Sequence, residues 1–319
     1  MLISRKRLTQ LLGLLWLIDG ILQLQPQMFT MNMVNGVMRP MLDGQPAVVE
    51  SSLNWIVQVT TQNLILVNLI VAIVQILFGL SLLLDRGVKV ALLASIVWSF
   101  IVWYGGEGMS MLLTGQAGAI TGAPGAVLLY ALLALVVYPY APTSDPDEGG
   151  ILSRKQLRWA LAIFWIFMAL LQVQPYWWQD GQISQAISAM VGQGGFNGFL
   201  VDPFLQWLSN ITSSIEIPLN VALIVVFLAL GIALFFIDNR HIRPVLVVSI
   251  VVSLIIWYGA EAFGMIFTGM ATDFNSGLLL VVIALACWPL AHARISQRRK
   301  YMAEVRGNQR QSQRTAQTV

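Results

Sequence analysis

Apolar residues in this chain fall in blocks about 20 residues long, the length an α-helix needs to cross a hydrocarbon core of about 30 Å. Eight such blocks predict spans over 8–28, 63–84, 89–113, 122–140, 157–177, 217–237, 244–268 and 276–291. Two long connections, 29–62 and 178–216, exceed the usual loop between helices of a bundle. In the first of them, at 100° per residue, Met31, Val34, Val37, Met38 and Met41 project to one side, and Asn32, Asn35 and Arg39 to the other. That pattern predicts an amphipathic helix lying on the membrane or capping the bundle. Trp55 and Trp207 would anchor a second piece of each connection at the interface.

The pattern repeats. LLWLIDGILQLQP (14–26) aligns with IFWIFMALLQVQP (163–175), LNWIVQVT (53–60) with LQWLSNIT (205–212), and IVWYGGEG (101–108) with IIWYGAEA (255–262). In the same register Asn68 meets Asn220, Gly79 meets Gly231 and Lys89 meets Arg243. A period of this length is that of a duplicated domain and not of a solenoid. The expected organisation is a four-helix membrane unit over 1–141, a polar linker with Pro and Gly over 142–152, a second four-helix unit over 153–292, and a basic tail over 293–319.

Composition changes the solvent of the fold. With 57% hydrophobic and 10% charged residues, the chain falls far below the roughly 25% charged residues of a soluble domain. The apolar opening behind Arg5, Lys6 and Arg7 is not read as a cleaved signal, because no small-residue cleavage site follows and its second half recurs in the repeat. Placing the N-terminus in the cytoplasm puts all 18 Lys and Arg but Arg39 on the inside, as the positive-inside rule requires. The expected fold is therefore an all-α integral membrane protein of the plasma (inner) membrane. It has eight transmembrane helices as two tandem four-helix bundles, amphipathic helices in the outside loops, and both termini cytoplasmic. Each unit has an even number of spans, so the repeat is parallel, about an axis along the membrane normal.

Candidate chemistry follows from depth. Counting about 1.5 Å per residue from the inner charges places Gln25, Asn68 and Glu107 in one layer about 26 Å from the inner boundary, and Gln174, Asn220 and Glu261 in the same layer of the second unit. A carboxylate in or beside the hydrocarbon core is costly unless paired, hydrated or protonated. Glu107 and Glu261 are thus candidate ligand-binding or proton-handling groups, with Trp103, Tyr104, Trp257 and Tyr258 as apolar walls. The structural alternative is a carboxylate at the headgroup boundary, bonded to Gln and Asn of its own bundle. Asp19 lies nearer mid-membrane, opposite Met168 in the repeat, as a capped structural carboxylate or a proton-relay group. One cysteine, Cys287, with His241 and His292, leaves no intrachain disulfide and no conventional metal site. The methionines of 28–41 could hold copper(I) through thioether sulfur, but gap-filling packing accounts for their placement on the apolar arc. The tail is expected to be disordered and drawn to anionic lipid, with no nucleic-acid role.

Arg and Lys before the opening helix, a second helix ending in FGLSLLLDRG, a third starting straight from that basic turn and a short fourth ending near Pro139 resemble the DoxX-like family of four-helix membrane proteins, and the second unit does likewise through LGIALFFIDNRHIRP. The resemblance implies a subunit or accessory factor of a quinone-linked or other membrane redox assembly, with quinone as its ligand and other membrane proteins as partners. No catalytic residue transfers by motif, and no nucleophile–base pair is visible, so an enzyme in its own right is not expected. The other classes are a small-solute or proton carrier and a structural or assembly protein without a site.

Overall fold

The computed structural model describes residues 4–138, 151–192 and 195–289. Among them helix is the only regular secondary structure. The linker up to residue 150 and the basic tail lie outside the described residues.

The first half holds α1 (Arg5–Leu22), α2 (Ala47–Gln62), α3 (Leu64–Leu83), α4 (Val88–Gly105) and α5 (Ala126–Val137). The second holds α6 (Arg154–Gln172), α7 (Gln182–Ser188), α8 (Asp202–Ser213), α9 (Glu216–Phe236), α10 (Ile242–Gly259) and α11 (Asn275–Ala286). Serine opens α1 and α6: the Ser4 hydroxyl accepts from Arg7 N at 3.2 Å, and Ser153 exchanges bonds with Gln156, so donors that have no partner inside the helix are satisfied. Four helices, α3, α4, α9 and α10, are long and apolar enough to cross a membrane.

Several of the predicted spans are shorter than drawn. α1 and α6 end at Leu22 and Gln172 instead of 28 and 177, because Pro26 and Pro175 hold Gln25 and Gln174 extended at ψ 143° and 144°. α4 and α10 stop at Gly105 and Gly259, not at 113 and 268. α5 and α11 have 12 residues each, about 18 Å of helix. Apolar on every side, they are buried on nearly every side: α5 packs against α4, α1 and α11, and α11 against α10, α6 and α5.

α1 lies along α3, and α6 along α9. Glycine permits the approach: a Cβ on Gly79 would come 2.6 Å from Leu17 N, and one on Gly231 2.5 Å from Ile166 Cγ1. Close packing at small residues holds each pair. Trp16 is fully buried against Phe78 and Tyr130, and Trp165 against Phe227, its indole donating to Ser249 Oγ at 2.9 Å.

The helix expected near 31–41 is present but irregular: it passes from an α turn over Met31–Met33 to a wider π turn over Val34–Met38 and a tighter 3-10 turn over Arg39–Leu42, with Met33, Val34, Met38 and Arg39 at the joints all right-handed helical. Its face is otherwise as expected, for Val34 and Met38 are buried against Val57 of α2 while Asn32, Asn35 and Arg39 are exposed; Met31 is exposed as well. Met38 thus serves as apolar packing. Trp55 and Trp207 are exposed.

Candidate functional site

Glu107 and Glu261 stand directly after α4 and α10. The four residues that follow each, Gly108–Met111 and Ala262–Met265, all have φ between +46° and +67°. A left-handed turn costs about 1–2 kcal/mol per non-glycine residue, and strain of this kind gathers where a side chain must be aimed. Here the turn reverses the chain so that each carboxylate meets the start of a short helix. Glu107 accepts from Val127 N at 3.2 Å and from Ser110 Oγ at 3.3 Å. Glu261 accepts from Gly277 N at 2.9 Å and from Ser276 Oγ at 2.5 Å. Each thus satisfies amides that a helix leaves open at its N-terminus and faces the positive end of its dipole. Gly125 is required here, since its φ is +116° and a Cβ would lie 2.1 Å from Glu107 Oε2.

The expected pairing of these glutamates with Gln25, Asn68, Gln174 and Asn220 is therefore replaced. Gln25 Nε2 donates across to Ala271 O and Gln174 Nε2 to Ala117 O, both at 3.3 Å, so each half reaches into the loop before the other half's short helix. Trp177, fully buried, also donates to Ala117 O at 3.1 Å. Asn68 Nδ2 donates to Gln23 O at 2.7 Å, while both polar atoms of the Asn220 side chain are buried without a partner.

The aromatic residues fasten more than they line. Trp103 and Trp257 donate to Pro124 O and Phe274 O at 2.7 and 2.8 Å, tying down the approach to α5 and α11. The Tyr104 hydroxyl bonds Ser52 of α2, and Tyr258 stacks on Phe204 of α8 with centroids 4.3 Å apart.

One large cavity results, of about 880 Å³, in the first half. Met33, Val37 and Met38 with Ile56 and Thr60 of α2 form its roof; Val67, Val71 and Gln75 of α3 and Trp98, Ile101 and Tyr104 of α4 form its walls. Asp19, Gln23, Glu107 and, from the second half, Thr272 and Asp273 supply its polar end. Of the expected site residues, Asp19, Tyr104 and Glu107 line it; Glu261 is instead sealed by packing at 3% exposure. Asp19 faces the Tyr130 hydroxyl. Asp273 accepts from Asn275 N at 2.6 Å and from Thr272 Oγ1 at 2.9 Å.

Gln23, Gln75 and Asp273 were not among the expected site residues. Gln75, alone in the apolar run VAIVQILFG, carries the signal of a polar residue within a span. Asp273 carries none, because its role depends on a contact between halves. Among the described residues no three His, Cys, Asp or Glu side chains group as a metal site. Comparison with protein-family models, with curated proteins and with solved structures finds no match to this chain.

Proposed function

We propose that the chain is a multi-pass membrane protein that holds a lipid-soluble ligand in this cavity near the outer face. It acts as a subunit or accessory factor of a membrane assembly. In this reading the chain crosses the membrane eight times as two tandem units, both termini cytoplasmic. The short helices α5 and α11 complete their crossings with the irregular segments 106–125 and 260–274. Irregular backbone at that depth is tolerated where protein buries it or a cavity lines it, and the glutamate caps meet that condition. The matched bonds of Trp103 and Trp257, of Gln25 and Gln174, and of Glu107 and Glu261 support the tandem reading.

The observation that carries the ligand reading is the cavity itself. Its 880 Å³ lies within the roughly 300–1,000 Å³ of small-molecule sites, and its mostly apolar wall with a few convergent polar groups is their usual lining. Ile70, Val97, Phe100 and Ile101 line it and are also about half exposed on the outer surface of α3 and α4, which gives a lipid-dissolved molecule a lateral way in. The redox assembly comes from the DoxX-like resemblance. The buried, unpartnered atoms of the lining are the acceptors Asp19 Oδ1, Gln23 Oε1 and Gln75 Oε1 and the donor Trp98 Nε1, so the two carbonyls of a quinone head would rely on Trp98 and on the amide groups of Gln23 and Gln75 for donors.

Mass spectrometry of lipophiles retained through purification tests the ligand reading. Wild-type protein should retain a small lipophile that Val71→Trp, which fills the cavity, loses while still eluting as a folded species. Equal retention by both would remove the cavity from consideration. Topology has its own test, single cysteines in a Cys287→Ala background. Positions 39 and 180 should react with an impermeant reagent added outside, and positions 86 and 240 only after the membrane is opened. All four are exposed, so protection by burial is not an outcome, and outside labelling of position 86 or 240 would overturn the eight-span arrangement.

A further inference from the structure

The two halves carry different acids at corresponding places. The reciprocal bonds of Gln25 to Ala271 and Gln174 to Ala117 pair Ala117 with Ala271, and those of Trp103 to Pro124 and Trp257 to Phe274 pair Pro124 with Phe274, so Asp273 falls opposite the acid-free segment 119–123, as Asp19 falls opposite Met168 in the aligned opening helices. Met168, Ala119 and Ala123 are buried and apolar, whereas Asp19 and Asp273 both line the cavity, together with Glu107. Duplication accounts for the paired glutamates and not for the two aspartates.

No lysine, arginine or histidine lines that cavity. Glu107 is engaged by the start of α5, and Asp273 by its own turn. Asp19, 1% exposed, Gln75, 4%, and Gln23, 5%, keep buried side-chain oxygens without partners. A buried acceptor without a donor is costly, and a carboxylate with no cation beside it more so. A ligand that donates hydrogen bonds and carries positive charge would satisfy both. Trp98, Phe100 and Tyr104 put aromatic rings in the lining, a composition that favours a cation, and the remaining lining suits an alkyl or isoprenoid body.

Resting on the lipid-soluble-ligand reading above, we propose that the cavity takes an amphiphile with an ammonium head. Asp19 of the first half and Asp273 of the second receive that head, so the molecule has one composite site. The second half supplies Asp273, for which the first half has no acid in the corresponding segment 119–123.

The test uses the full chain in nanodiscs of zwitterionic lipid, with dodecylammonium, dodecanol and dodecyl phosphate as probes and empty nanodiscs subtracted. Dodecylammonium should bind at least about tenfold more tightly than dodecanol, the scale of a charge-assisted hydrogen bond. Asp19→Asn and Asp273→Asn, both close in shape to the native residue, should each remove most of that advantage, with melting temperatures measured alongside. Val71→Trp should abolish binding of both probes. Equal binding of dodecylammonium and dodecanol, both lost in Val71→Trp, would overturn the ammonium assignment and leave the lipid-soluble ligand standing. Tighter binding of dodecyl phosphate would overturn it likewise. Loss in Asp19→Asn with no change in Asp273→Asn would overturn the composite site. Binding of all three probes unaffected by Val71→Trp would remove the cavity reading as well.

Discussion

Glu261→Leu should lower the melting temperature of the purified protein by about 10 °C or prevent its accumulation, whereas Glu261→Gln should come close to wild type. The leucine has nearly the volume of the glutamate but offers no acceptor. It would leave Gly277 N and Ser276 Oγ, now held at 2.9 and 2.5 Å, unpaired at the start of a helix enclosed by protein. Each buried group without a partner costs about 1–3 kcal/mol. Two such losses amount to about 2–6 kcal/mol, a large part of the 5–15 kcal/mol that holds a typical fold, and each kcal/mol shifts the midpoint of a larger domain by about 2–4 °C. Glutamine retains an oxygen for the amide and forfeits only the charge–dipole contribution. Glu107→Leu should be milder than Glu261→Leu, because Glu107 is only half-buried and its bonds are longer, at 3.2 and 3.3 Å. A thermal series in detergent decides the matter; a Glu261→Leu protein as stable as Glu261→Gln would show that the carboxylate does not secure α11.

The second large effect is expected at Gly79. Its absent side chain is the contact between α3 and α1, and a Cβ there would lie 2.6 Å from Leu17 N and 2.7 Å from Leu17 Cα. Those are backbone atoms, which no rotamer change can move. Gly79→Ala must push the helices apart, at the 1–3 kcal/mol typical of overpacking, and Gly79→Leu must separate them fully and should fail to accumulate. Gly87 is the contrast: it has φ +64° and nothing within 4 Å of its Cβ position, so alanine there costs only the left-handed conformation, about 1–2 kcal/mol. The disturbance at Gly79 should also reach the cavity, since Asp19 rides on α1 and Gln75 on α3. Probe binding to Gly79→Ala should therefore fall together with its stability, while Gly87→Ala should bind as wild type. A Gly79→Ala protein with unchanged melting temperature would show that this helix pair tolerates separation.

How far the sequence could be read depended on how local each feature was. The long apolar blocks of α3, α4, α9 and α10 were legible because length and hydropathy belong to a single segment. The amphipathic side of 31–41 was legible as a face, but the change from α to π to 3-10 turns along it was not, because it alters the hydrogen-bond register while leaving the side-chain directions nearly intact. The glutamates were legible as costly residues at a definite depth. Their partners were not: an acceptor seeks whichever donors the fold brings near, and those proved to be amides at the start of α5 and α11.

The left-handed turns after Glu107 and Glu261 had only Gly108 and Gly264 to announce them, for the neighbouring Met109, Phe263 and Met265 are residues that seldom adopt such angles. Asp273 shows the limit most plainly. Its sequence neighbours make it an ordinary loop acid, and only the clasp between halves brings it into the lining of one cavity with Asp19 and Glu107. By itself, then, the sequence determined the helical class, the membrane-length helices and the acids worth attention, because periodicity, length and the cost of a charge in lipid are properties of a segment. Where those acids point, which of them share a cavity and which half holds it were decided by tertiary structure alone, because each depends on contacts between residues far apart in the chain.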